Sequence, residues 1–130
     1  MTVTITFGKT PKTFKKFPVK FKTPEGEDAA IAITFKYRTR SGYAAYLNSM
    51  FAVDGEADKP VEGDTVDFVA LFAKGGAKSV EKLLEAIDSW DFGEPLNKET
   101  LLQLQDEYPA AVAAMGEAYR MAAVDGKLGN

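Results

Sequence analysis

Hydrophobic periodicity changes once along this chain, at Ser41, and that change constrains the fold more than any other feature. Before it, apolar residues alternate with polar ones. Val3, Ile5 and Phe7 alternate with Thr4 and Thr6; Phe17, Val19 and Phe21 with Pro18, Lys20 and Lys22; Ile31, Ile33, Phe35 and Tyr37 with Ala32, Thr34 and Lys36. A period of two is that of a half-buried strand, and these residues are good β-formers. Gly8 to Pro11 and Pro24 to Glu27 carry turn chemistry. Pro18 has no N–H for a central ladder, which assigns its strand to a sheet edge. The front of the chain therefore predicts a small N-terminal antiparallel sheet of about three strands.

After Ser41 the period is helical. Tyr43, Tyr46, Leu47, Met50 and Phe51 form an apolar stripe, with Ser41 as N-cap. Residues 54–64 read as a polar loop. A second helix is expected over 65–74, with Phe68, Leu71 and Phe72 on one side and Gly75-Gly76 as its stop. Val80, Leu83, Leu84, Ile87 and Trp90 predict a third helix from Ser79. Asn97 caps a fourth, carrying Leu101, Leu104 and Tyr108. Pro109 opens a fifth with Val112, Met115, Tyr119 and Ala122, closed by Gly126. Strands followed by about five helices give an α+β fold. At 130 residues one domain is expected.

Charge divides at the same place. Residues 1–40 carry nine Lys/Arg against three Asp/Glu, a balance of +6, so the net charge of −3 leaves −9 for the rest. A basic β-rich front (1–40) and an acidic helical back (41–130) can meet different partners, or each other in two copies. No stretch reaches the ~20 apolar residues of a membrane helix, and the first residues lack the apolar run of a signal peptide. The expectation is a protein of the cytoplasm with no membrane partner.

The chain has no histidine and no cysteine, which removes the usual general bases, thiol nucleophiles and soft-metal ligands. An EF-hand starting at Asp54 needs Gly at its sixth position and Glu at its twelfth; Lys59 and Thr65 stand there. Gly75-Gly76-Ala77-Lys78-Ser79 lacks the spacing of a phosphate loop and follows a helix rather than a strand. Glu85, Asp88, Asp91, Glu94, Glu99, Asp106 and Glu107 read mostly as the solvated sides of helices. No enzyme, cofactor or metal site is expected.

Two binding surfaces stand out. The run from Phe14 to Lys22 interleaves aromatics and lysines, as single-strand nucleic-acid binders do. In a strand, however, these alternate residues face opposite ways, which argues against a stacking platform and makes nucleic acid the weaker reading. The second surface is the Asp91 to Pro95 turn and its flanks. Trp90 continues an apolar stripe and reads first as core, while Phe92 and Leu96 place large apolar groups in a turn. Trp90, Phe92, Leu96, Leu101 and Tyr108 are the candidate protein-binding residues.

The same segment resembles the bacteriophage tail assembly chaperone family. The resemblance is carried by Phe35-Lys36-Tyr37-Arg38-Thr39-Arg40 running into a helix, then by Leu84 to Asp91, Glu94-Pro95-Leu96-Asn97, Leu101 and Leu104. It continues through Glu107-Tyr108-Pro109-Ala110-Ala111 and Ala118-Tyr119, and ends in Lys127-Leu128-Gly129-Asn130. Together these cover about half the chain. The resemblance implies a non-enzymatic protein of long-tailed phage or prophage. It would act in the cytoplasm of the bacterial host, bind the tape measure protein, keep it soluble and help tail tube subunits gather on it. It would be absent from the mature virion, and some members are also made as a longer, frameshifted product.

Overall fold

The protein is seen in a computed structural model that describes residues 3–52 and 68–128, with side chains described at 3–48 and 77–128. The helix expected to start at 65 and the 54–64 loop begin or lie outside the described residues. The elements run β1 (Phe17–Lys22), β2 (Asp28–Phe35), α1 (Arg40–Ala52), α2 (Phe68–Ala86), β3 (Ile87–Trp90), α3 (Lys98–Glu107) and α4 (Pro109–Arg120). A π-helical turn at Met121–Asp125 continues α4. The class is α+β, with three antiparallel strands and four helices among the described residues.

The sheet order is β1-β2-β3. β1 and β2 form a hairpin in which Phe17 faces Ile33 and Val19 faces Ile31. Its turn uses Gly26 at φ 84°, a left-handed conformation that glycine adopts without a Cβ clash. Pro18 does lie in an edge strand. The Thr23 N–H donates to Glu27 O and the Asp91 N–H to Ala32 O. Ala32, opposite Pro18, thus turns its peptide groups toward β3. The odd-numbered residues of β1 therefore pair with β2, and the missing N–H of Pro18 faces the free edge.

Two sequence expectations are corrected. The alternating Val3, Ile5 and Phe7 form no strand; they are 83%, 81% and 96% exposed. Period two shows what a segment is able to do, and no sheet edge among the described residues takes it up. The third strand is instead Ile87–Trp90, the stretch expected to end a helix. The register slips between Thr34 and Phe35, with Ser89 opposite Thr34 and Ile87 opposite Phe35. Asp88 is the extra, bulged residue. A bulge lets side chains three apart share a face, so Ile87 and Trp90 imitate helical spacing while sitting in a strand.

The expected second and third helices are one. Gly75 and Gly76 lie inside α2; each costs about 1 kcal/mol against alanine, too little to end a helix of 19 residues. The cap of α1 is Thr39 and not Ser41. Thr39 Oγ1 accepts from the Gly42 N–H at 3.0 Å, and its carbonyl from the Tyr43 N–H at 2.8 Å. The expected caps at Asn97, Pro109 and Gly126 are present.

One apolar cluster joins the sheet and the helices. Ile33 and Phe35 of β2, Val80 of α2, Leu101 of α3 and Met115 and Tyr119 of α4 are its largest fully buried side chains. α4 packs on β1, and α3 bridges α2 and α4. No described helix is long and apolar enough to cross a membrane.

Candidate functional site

The five candidate residues do not form one patch. Trp90 ends β3 half-buried, and its indole N–H donates to Glu94 O at 2.9 Å, closing the turn. The Phe92 ring meets it edge-on, with centroids 5.4 Å apart. Phe92 and Leu96 are also half-buried against the core. The turn is held at both ends: Lys16 Nζ lies 2.7 Å from Asp91 Oδ2, and Asn97 Oδ1 accepts from the Thr100 N–H at 2.8 Å. Leu101 has no exposed surface and anchors α3 in the core. Tyr108 caps the far end of α3, about 15 Å from Asn97 along a helix of this length. Trp90, Phe92 and Leu96 thus present one small apolar edge, and Tyr108 is separate from it.

A second surface lies where α2, α3 and α4 meet. Ser79, Lys82 and Leu83 of α2, Gln105 of α3, and Val112, Ala113 and Gly116 of α4 line a groove of about 340 Å³, with Tyr46 and Tyr119 at one end. Ala113 and Gly116 are exposed on the α4 wall. A Cβ added to Gly116 would meet nothing within 4 Å, so this wall is low enough for another helix backbone to come close. The sequence signal for it was present: Tyr43 and Tyr46 sit three apart in α1, and small residues recur on the outer face of α4. Neither looks unusual without knowing that α2, α3 and α4 meet there.

The end of the groove is tied by hydrogen bonds. The Tyr46 O–H donates to Lys82 O at 2.5 Å. The Arg38 guanidinium lies 4.3 Å from the Tyr46 ring centroid and donates to the Tyr119 oxygen at 2.7 Å. The Tyr119 O–H donates to Lys36 O at 3.0 Å. Burial pushes the Tyr46 and Tyr119 phenols above their ordinary range, with Arg38 opposing the shift in both. Arg38, counted with the basic front in the sequence, is half-buried here and serves this cluster.

The exposed acids of these helices are Glu81 and Glu85 on α2, Glu99, Asp106 and Glu107 on α3, and Glu117 on α4, while the charged residue that lines the groove itself is Lys82. On the sheet, Phe17 and Val19 are buried while Lys16, Lys20 and Lys22 are exposed. Those aromatic and basic groups face opposite ways, as the alternation required.

The groove between the helices carries Ser79, Lys82 and Gln105 among its lining, and no cluster of three metal-type ligands occurs among the described residues. Comparison with known proteins adds the family. The family model described as phage tail assembly chaperone matches residues 1–130. Neither a search of curated proteins nor one of solved structures found a match. The match covers the whole chain, beyond the half that carried the resemblance in the sequence, and the chain belongs to the phage tail assembly chaperone family.

Proposed function

We propose that this protein works by binding and not by catalysis, as a chaperone that holds helical segments of the tape measure protein and keeps that protein soluble while tail tube subunits gather on it. Its place of action on this reading is the bacterial cytoplasm, and it leaves before the virion is complete. The observation that carries the reading is the family match over the full chain. The groove between α2, α3 and α4 supports it: apolar floor, small residues on one wall, and acids exposed elsewhere on the same helices. An amphipathic helix laid in such a groove buries its apolar face, while the surrounding charge keeps the complex dispersed. The Trp90, Phe92 and Leu96 edge extends the contact for a long client.

The test is capture of tape measure segments by the immobilised protein, compared with a Gly116→Trp variant that fills the groove from an exposed position. Capture by the parent and loss in the variant support the groove. Equal capture by both moves the contact elsewhere, with the Trp90 edge next to be substituted.

A further inference from the structure

The segment from Val3 to Phe7 has the alternation of a strand but joins no sheet, and β1 has a strand neighbour on one side only among the described residues. We propose that the two belong together between copies: the Val3–Phe7 segment of one molecule adds as an antiparallel strand to the free edge of β1 in another.

The donor is unusual. Val3, Ile5 and Phe7 are three large apolar residues left 83%, 81% and 96% exposed, alternating with β-forming threonines. The acceptor has both requirements of strand addition, open peptide groups and a place for alternate side chains. Because the odd residues of β1 pair with β2, the Lys20 and Lys22 N–H groups and the Pro18, Lys20 and Lys22 carbonyls point to the free edge. Beside that edge, between β1 and α4, runs a groove of about 200 Å³. Val19, Ala114, Ala118 and Met121 supply its apolar lining, with exposed Glu117 and Lys127 also against it.

Register follows from the two patterns. Thr4 opposite Lys20 exchanges two peptide hydrogen bonds with it. Thr6 then falls opposite Pro18, where only the carbonyl is needed. Ile5 falls opposite Val19 and Phe7 opposite Phe17, so the apolar side chains enter the groove and the threonines join the lysines on the open face. Pro18 and the lysines limit promiscuous edge pairing but leave this register intact.

The donor cannot serve its own edge without rearranging. Lys12 is fixed by the hydrogen bond from the Tyr37 N–H to Lys12 O. Bringing Phe7 opposite Phe17 in the same chain needs residues 7 to 12 to be almost fully extended, about 17 Å. They are folded instead, with Gly8 at φ 85° and the Lys9 N–H bonded to Thr6 O.

The absence of native cysteine makes the test clean. Thr4→Cys and Lys20→Cys variants are mixed under mild oxidation; the paired positions lie within disulfide range across a hydrogen-bonded strand pair. A disulfide-linked dimer is expected on the order of tenfold faster than from Thr4→Cys mixed with Ser89→Cys at the opposite edge, because pairing raises the effective concentration of the thiols. Adding Ile5→Asp to the Thr4→Cys chain is expected to abolish the difference, and since Ile5 is exposed the fold is not at risk. Equal rates for the two mixtures overturn the proposal. So does a Thr4→Cys/Lys20→Cys chain that closes its disulfide within one molecule when mixed with an excess of parent chain. Neither result bears on tape measure binding.

Discussion

Arg38 and Tyr119, 81 residues apart in the chain, meet through a 2.7 Å hydrogen bond from guanidinium to phenol oxygen. The contact ties the end of the sheet to α4. Tyr119 also stacks on Phe35, with centroids 5.1 Å apart, and Arg38 covers the ring of Tyr46. Removing either partner should loosen the wall of the helical groove. Arg38→Met and Tyr119→Phe are each expected to destabilise by about 1–3 kcal/mol, with a coupling of at least ~0.5 kcal/mol in the double variant. Urea unfolding of the four proteins measures the cycle; additive effects would mean the bond carries no net stability.

Alkaline stability follows from the same cluster. Burial raises the pKa of Tyr46, Tyr119 and Tyr43, Tyr46 most strongly. Each phenol is harder to ionise folded than unfolded, where its value is about 10. Above that pH the unfolded chain has lost protons that the folded chain keeps, so stability is full below pH ~10 and falls as pH rises beyond it. Tyrosinate absorbance followed with pH should show a late-titrating fraction that coincides with loss of structure. Tyr46→Phe should diminish that fraction.

The turn and the core beneath it should respond differently to truncation. Leu101 is fully buried, and Leu101→Ala is expected to cost about 2–5 kcal/mol. Trp90→Phe keeps the ring packing on Phe92 but loses the hydrogen bond to Glu94 O, a loss of about 1 kcal/mol. Because Trp90 is the only tryptophan, its fluorescence reports this turn directly. Client binding at the Trp90 edge should shift its emission, whereas binding confined to the α2–α4 groove should leave it unchanged.

Two caps give local tests. Asn97→Ala removes the acceptor for the Thr100 N–H and should cost about 1 kcal/mol. Gly126 closes the π-helical turn at φ 70°, and Gly126→Ala should cost about 1–2 kcal/mol through the left-handed backbone alone. Thermal unfolding of each variant checks both values.

The parts of this fold that could be read in the sequence are those set by local chemistry. The Phe17–Lys22 and Asp28–Phe35 hairpin, the Asn97 cap, the Pro109 start and the Gly126 stop need only neighbouring residues to be recognised. What escaped depends on partners far along the chain. Val3, Ile5 and Phe7 look like a strand, but strand formation needs an edge. Ile87 and Trp90 look helical, because a bulge at Asp88 reproduces a spacing of three. Gly75-Gly76 looks like a stop, but α2 tolerates it. At the candidate site, Trp90, Phe92 and Leu96 could be found from large apolar residues in a turn. The groove could not, since its walls come from α2, α3 and α4, with Tyr46 of α1 at its end, and no local pattern announces their meeting.

The most direct measurement is the fraction of tape measure protein that stays in the supernatant after lysis, expressed alone and together with this protein. The expected result is a mostly pelleted client when alone, and a mostly soluble client that co-purifies with the chaperone when the two are made together. Aggregation unchanged by co-expression would contradict the proposed role.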